Sequence, residues 1–377
     1  MIYLDNAATS FPKPQEVYDA LEKTQKNLAF NAGRGNYTEA NKAHELIENT
    51  RREVLNYSKG RYVIFTASAT HAINQLIGGF EFEEGDVIYC SPYDHNSVIR
   101  TLTAYVKMYN IQLKVLPLLP NNEIDLEKMK FMFMKDKPKY VFSSHVSNVT
   151  GYILPIKEMG EITRKYNGTF IVDGAQAFGL VDINMKSLNI DYYVFAGHKT
   201  LYGPFGIAGF ICNDLVKIKP VFFGGTGTES LNVEMPEYGY ERFEPSSPNV
   251  VAIAGLQAGM RWIFGKDALH HEQVLYQYTL QRLKSIDGVI IYAEDTYNSV
   301  GIISLNLQGY KSDELAKILS EDFNVCVRGG YHCCPFIHDY LDTKQFLGTV
   351  RVSFSYFTTK EDIDVLINAL LELTSEF

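Results

Sequence analysis

The stretch Phe170-Ile171-Val172-Asp173-Gly174-Ala175-Gln176 carries the pattern from which the fold is read. A short apolar run of β-type residues ends on an acid, and a glycine turns the chain at once. Similar runs flank it: Tyr62–Thr66, Val87–Cys90, Leu113–Leu116 and Tyr140–Ser144 before it, Tyr192–Ala196 and Ile207–Ile211 after it. Helical patterning fills most of the gaps, as in Ala69–Phe80, Leu126–Met134 and Ile156–Tyr166. This alternation predicts an α/β fold built on a mostly parallel seven-stranded sheet. In such sheets ligands lie beyond the carboxyl ends of the strands, so the polar residues there are the first candidates for chemistry.

Past residue 212 the pattern changes. Gly224–Thr228 and Glu244–Pro248 read as loops, and Val250–Phe264 and Asp267–Ile286 as helices. Strand and helix patterns resume at Gly301–Leu307, Ser312–Leu319, Thr349–Ser353 and Lys360–Leu373. The expected organisation is a large domain over residues 15–250 and a smaller α+β domain formed by 1–14 and 251–377. With 46% hydrophobic residues among 377, the chain can bury cores for both.

The formal net charge of −9 argues against non-specific nucleic-acid binding, which needs a basic face. No apolar run reaches membrane-spanning length, and Met1–Asn6 lacks the basic start of an export signal. A cytoplasmic location without membrane attachment is the expectation. Five cysteines without a Cys-x-x-Cys pair suggest neither a disulfide framework nor structural zinc. Cys333 and Cys334, adjacent in a stretch with glycine and histidine, are candidates for reactive chemistry.

Phe195-Ala196-Gly197-His198-Lys199-Thr200-Leu201-Tyr202-Gly203-Pro204 puts a lysine between a strand end and a Gly-Pro loop. An imine-forming lysine needs a dry site and a fixed approach to an aldehyde; a surface lysine in a turn fits the same stretch. Asp173 tips the balance. It closes a strand one strand earlier, where a carboxylate could keep the pyridine nitrogen of pyridoxal 5'-phosphate (PLP) protonated, although a plain helix N-cap is the simpler role. Ala67-Ser68-Ala69-Thr70 follows a strand and opens a helix, whose first N–H groups suit a phosphate dianion.

With these motifs in order, the chain resembles the cysteine desulfurase family, class V aminotransferase-type proteins of the fold type I PLP superfamily. Within it the resemblance is to the cysteine desulfurase/selenocysteine lyase branch. It runs from Tyr3-Leu4-Asp5-Asn6-Ala7-Ala8-Thr9 to Arg351-Val352-Ser353-Phe354-Ser355-Tyr356-Phe357. The resemblance implies that Lys199 holds the cofactor and Asp173 pairs with the pyridine nitrogen. It puts Gln176 and Asn148 near the phenolic oxygen and the substrate, and stacks His95 on the ring. Ala69, Thr70 and His198 then contact the phosphate. In Val327-Arg328-Gly329-Gly330-Tyr331-His332-Cys333-Cys334-Pro335 it makes Cys333 the sulfur-accepting nucleophile, with Arg328 beside it, and Arg351 the clamp for the substrate carboxylate. It also implies a homodimer in which Thr226 and Ser247 reach the partner's phosphate site.

The expected function is conversion of L-cysteine to L-alanine, with a persulfide on Cys333 passed to a sulfur-acceptor protein. A selenocysteine lyase or another PLP-dependent carbon–sulfur lyase is the alternative. Several positions depart from the family pattern. Ala196 stands where a serine is common, Ser68 where glycine is, Tyr37 where histidine is, and Ser246-Ser247 replaces Gly-Thr. Cys334 adds a second thiol where a small residue is usual.

Overall fold

The computed structural model describes residues 1–32, 35–228, 230–294 and 298–375. Twelve strands are described: β1 (Ile2–Tyr3), β2 (Tyr62–Thr66), β3 (Val87–Cys90), β4 (Gln112–Val115), β5 (Tyr140–Ser144), β6 (Thr169–Asp173), β7 (Tyr192–Ala196), β8 (Ala208–Cys212), β9 (Val289–Tyr292), β10 (Ile302–Leu307), β11 (Val325–Cys326) and β12 (Val350–Ser353). The helices are α1 (Gln15–Asn27), α2 (Thr38–Ser58), α3 (Ala69–Gly79), α4 (Asn96–Tyr109), α5 (Leu126–Lys135), α6 (Ile156–Lys165), α7 (Val250–Ile263), α8 (Ala268–Leu283), α9 (Ser312–Glu321), α10 (Ile337–Tyr340) and α11 (Lys360–Ser375).

Seven strands form one sheet in the order β2-β8-β7-β6-β5-β3-β4. All neighbours from β7 to β4 are parallel, and β8 runs antiparallel between β7 and β2. The exception has a geometric cause. Only the short turn-rich stretch 197–207 joins β7 to β8, and it carries no helix for a parallel crossover. The strands are apolar on both faces. Val63, Phe65, Val141, Phe170, Val172, Tyr193 and Phe195 pack one way, in a cluster shared with α2, α5, α6 and α7. Ile64, Ile88, Phe142, Ile171, Val194 and Phe210 pack the other way, onto α3 and α4. That period-two division is what a sheet covered on both sides requires.

Strand β3 is followed by edge strand β4, whereas β5 lies on the opposite side of β3. The chain therefore reverses direction across the sheet between β3 and β5. A crevice opens at such a switch point, beyond the carboxyl ends of the strands.

Strands β12, β10 and β9 form an antiparallel sheet, and β1 pairs in parallel with β11. Leu305, Val350 and Val352 pack with α8, α9 and α11 in a separate cluster, which also buries Leu4. Helix α7 packs instead in the cluster beneath the large sheet, against α1 and α2. None of the described helices is long and apolar enough to cross a membrane.

Candidate active site

A cavity of about 240 Å³ lies at the carboxyl edge of the large sheet. Its walls include Lys199 after β7, Asp173 at the end of β6, Ser144 and Asn148 after β5, His95 after β3, and Ala69 and Thr70 at the start of α3. Gln176 and His198 complete this wall, and Arg328 and Arg351 close it from the smaller sheet. Ten of the sequence candidates thus meet in one space. Thr226 and Ser247 do not: Thr226 turns back on its own loop (3.1 Å, Thr226 Oγ1 to Thr228 O), and exposed Ser247 accepts from Asn31 Nδ2 at 3.2 Å.

Lys199 sits in the turn that β7 feeds. Burial pulls its amine down to about 8, against the opposing pull of Asp173, while Arg351 and Arg328 push the same way as burial. A minority of this lysine, about a tenth at pH 7, is therefore uncharged, far more than for an ordinary lysine. Asp173 accepts from Ala175 N at 3.0 Å; burial raises its carboxyl above the usual range, with that N–H and the Lys199 charge opposing.

His95 precedes α4, and its Nδ1 accepts from Ser97 N at 3.0 Å. That bond leaves the proton of the neutral ring on Nε2. Burial, reinforced by the nearby Lys199 and Arg328 charges, lowers His95 to about 4, so the ring is neutral at physiological pH. His198 is lowered to about 3 by burial first and Lys199 second, and it stacks on Phe205 with centroids 4.6 Å apart. Its Nδ1 is buried without a partner among the described residues.

The second sheet brings in the cations. Arg351 is 1% exposed on β12, where Nη1 donates to Asn148 O at 2.9 Å and Nη2 to Asp5 Oδ1 at 2.6 Å. Its Nε is buried and unpartnered. An N–H of this kind beside a cavity is a ready donor to an incoming carboxylate.

Cys333 lies on a loop tied down from three sides. Arg328 and Arg351 exchange backbone hydrogen bonds, Asn148 Nδ2 donates to His332 O at 2.7 Å, and Asn96 N donates to Cys333 O at 2.7 Å. The last bond sets the cysteine next to the His95 turn. His332 and Cys333 both have left-handed backbone, with φ of 49° and 57°, a conformation that side chains with a Cβ adopt at a cost of about 1 kcal/mol or more each. Packing holds it: a Cβ on Gly348 would come within 2.2 Å of Gly330 O, so the two strands of the loop base meet only through glycine. Arg328 Nη2 stands 3.5 Å from the half-buried Cys333 Sγ. Cys334 points away; it is fully buried, with Sγ 3.6 Å from Pro92 O, and burial raises its thiol far above the ordinary range.

Several participants escaped the sequence reading. Asp5 holds Arg351, and Ala7 O accepts from Gln176 Nε2 at 2.7 Å. The carbonyl of His198, immediately before Lys199, accepts from Lys13 Nζ (2.8 Å), Thr9 Oγ1 (2.9 Å), Ser10 N (3.1 Å) and Ser10 Oγ (3.3 Å). A buried arginine demands a counter-charge, and that rule could have prompted a search for an acid. It could not have named residue 5.

Residues 2–366 match the family described as Aminotransferase class-V. A protein of Staphylococcus aureus (strain Mu50) named probable cysteine desulfurase is 33% identical, the match covering all of this chain and 92% of that one. A probable cysteine desulfurase of Halalkalibacterium halodurans is 32% identical, with 100% and 94% covered. Among solved structures, the apo cysteine desulfurase of Thermococcus onnurineus NA1 superposes with a TM-score of 0.91 at 28% identity, covering 100% of this chain and 95% of that one. The chain belongs to the aminotransferase class-V family and, within it, to the cysteine desulfurases.

Proposed function

We propose that this protein is a PLP-dependent cysteine desulfurase that converts L-cysteine to L-alanine and keeps the sulfur as a persulfide on Cys333. The observation that carries the reading is the meeting of Lys199, Asp173 and Arg351 in one cavity, with Cys333 beside it under Arg328.

The residues present fit the cofactor. The unpartnered buried Nδ1 of His198 stands near the start of α3, whose first N–H groups have no intrahelical partner. Lys199 would hold the aldehyde carbon, Asp173 the ring nitrogen, and Asn148 and Gln176 the phenolic oxygen. Ala69, Thr70 and His198 would hold the phosphate, with His95 along the ring face. When bound, PLP supplies an electron sink for the pair released at the substrate Cα.

The rest is done by the chain. Arg351 takes the substrate carboxylate with its free Nε–H. Lys199, whose amine burial makes easier to deprotonate, removes the Cα proton. Arg328 Nη2 stands against the Cys333 sulfur and orients it. Cys333 Sγ then bonds to the substrate sulfur as the Cβ–S bond breaks; Cβ keeps the electron pair and collects a proton, and a proton returns to Cα, leaving alanine. Neutral His95 is suited to carry that proton through Nε2. The persulfide passes to an acceptor protein.

The same reading makes the protein a cytoplasmic homodimer. Thr226 and Ser247, remote from the cavity of their own chain, would serve the partner's phosphate. Phe223, Leu231, Val233 and Tyr238 on that loop region are highly exposed, as residues awaiting a second copy would be.

The test is to incubate the PLP-loaded protein with L-cysteine and measure alanine and protein-bound persulfide together. Wild type should form both in equal amounts on the first turnover. Cys333→Ser should keep the cofactor absorbance and form neither. Full alanine production by Cys333→Ser would overturn the nucleophile assignment.

A further inference from the structure

Asp94 is a fully buried acid that the mechanism above does not use. It lies in the turn between β3 and α4, directly before His95. Its Oδ2 accepts from Ser91 N at 2.8 Å, and its own N–H donates to Ser91 O at 3.1 Å. Its Oδ1 lies 3.1 Å from Ser144 Oγ, at the end of β5. The same Ser144 oxygen lies 3.0 Å from Tyr93 O.

That arrangement, fully buried and without a paired cation among the described residues, favours a proton on the acid. A serine hydroxyl has one hydrogen, and here it faces two acceptors, the Tyr93 carbonyl and Asp94 Oδ1. If Asp94 were ionised, the Ser144 hydroxyl could serve only one of them, and a fully buried anion would rest on backbone bonds from Ser91 and Ser144 and that shared hydroxyl, with no cation paired to it among the described residues. If Asp94 Oδ1 carries the proton, the chain closes: Asp94 O–H donates to Ser144 Oγ, and Ser144 O–H donates to Tyr93 O. Every acceptor is then served and no charge is buried.

The surroundings agree. No lysine, arginine or histidine pairs with Asp94 among the described residues. The titratable groups close enough to act on it are Asp173 at the end of β6, Cys90 on β3 and Cys334 of the cysteine loop, and none of these supplies a positive charge. Burial, and then Asp173, lift the Asp94 carboxyl to about 7, against the bonds from Ser91 and Ser144.

We propose that Asp94 is a positioning residue that works in its protonated form, tying the His95 turn to the end of β5 and leaving Asp173 as the carboxylate that carries the charge. The protonation state stands on the burial of Asp94, its hydrogen bonds and its acidic neighbour; the positioning role rests on the cofactor reading of His95 and Asp173. An ionised Asp94 would set a second anion near Asp173, and two neighbouring buried carboxylates do not both ionise readily.

The experiment has two arms. Infrared spectra of the PLP-loaded wild type, labelled with 13C in the aspartate carboxyls, should contain the carbonyl band of a protonated acid at about pH 6. That band should fade as pH rises through the raised value and be absent from Asp94→Asn. The label separates it from buried glutamate. In the second arm, asparagine mimics the neutral acid, since its N–H donates to Ser144 and its oxygen accepts from Ser91. Asp94→Ala should lower kcat by about tenfold or more with KM for cysteine nearly unchanged, and Asp94→Asn should restore kcat to within about threefold of wild type. The inference is overturned if no Asp94-dependent acid band exists below neutrality, or if Asp94→Asn is as impaired as Asp94→Ala. A protein inactive toward cysteine would sink the desulfurase reading and leave the infrared result to decide the protonation state.

Discussion

Removing Asp5 should unsettle the site more than its place near the chain start suggests. Its carboxylate holds Arg351 Nη2 at 2.6 Å, and the two side chains are 20% and 1% exposed. Burial already lowers the pKa of Arg351, against the pull of Asp5, and the neighbouring Arg328 charge lowers it further. With Asp5→Ala, the guanidinium keeps one neutral acceptor, Asn148 O, and an Nε that has no partner. Breaking a buried ion pair from one side costs about 3–5 kcal/mol; the partial exposure of Asp5 puts this case near 3. At roughly 2.1 cal/mol/K per residue, a chain of 377 residues unfolds with about 0.8 kcal/mol/K of entropy, so the midpoint should fall by about 4 °C. KM for cysteine should rise as well, because the clamp loses the group that orients it. Thermal unfolding by calorimetry and steady-state kinetics on the same preparation are the assays. Asp5→Asn, which keeps an oxygen acceptor without the charge, should fall between wild type and Asp5→Ala. Added formate should return part of the lost stability to Asp5→Ala by occupying the vacated anion position. A midpoint unchanged within 1 °C, or Asp5→Asn indistinguishable from wild type, would show that Arg351 does not depend on this charge.

Two further outcomes follow from buried groups outside the reaction. Glu272 is 6% exposed, and burial lifts it from 4.5 to about 8, with only Gly301 N, 3.2 Å from Oε2, pulling it down. The folded state then binds more protons than the unfolded chain between those two values, so this residue lowers stability as pH rises from about 4.5 to 8. Glu272→Gln should therefore gain on wild type in thermal midpoint across that window, and a difference independent of pH would refute the shift. Cys334, shut in beside Pro92 O, should carry no persulfide. Mass spectrometry after cysteine addition should place the extra sulfur on Cys333, and Cys334→Ala should retain turnover while losing about 1 kcal/mol of stability; a persulfide relay through Cys334 would reverse both results.

The large sheet was legible because its strands are apolar on both faces and end abruptly at polar turns. Tyr62–Thr66, Val87–Cys90, Tyr140–Ser144 and Tyr192–Ala196 coincide with the strands read from the sequence, and the others differ by a residue. Helices α1, α2 and α4 were not predicted. Helix α2 is rich in charge along its length, and α4 begins directly after His95, where a helix start and a catalytic histidine fit the same residues. Most of the candidate residues that meet in the cavity follow strand ends, because the edge of the large sheet brings Asp173, Lys199, His95 and Asn148 together, while Arg328 and Arg351 come from the smaller part. Position along a strand carries that information. Thr226 and Ser247 were chosen for a role toward a second chain, and within one chain they stay apart from the cavity. Asp94 carries no distinguishing signal in the sequence; its burial and the two acceptors around Ser144 Oγ mark it only in the structure.

Asp5 was illegible for a different reason, and that reason bears on how the site works. Its partner is 346 positions away, so no local pattern could connect them. The strip from Asp5 to Lys13 touches both halves of the site. Asp5 holds Arg351, Ala7 N donates to Ser353 Oγ at 2.9 Å, and Ala7 O receives Gln176. A few residues later, Thr9, Ser10 and Lys13 converge on the carbonyl before Lys199. Lys199 belongs to the large sheet and Arg351 to the small one, and neither sheet pairs with the other. The separation between Lys199 and Arg351 is thus bridged by nine consecutive residues, Asp5 to Lys13, whose covalent length cannot stretch. Proximity of reacting groups accounts for much of an enzyme's rate, and a short strip bonded to both sheets fixes that proximity more firmly than side-chain packing between them alone.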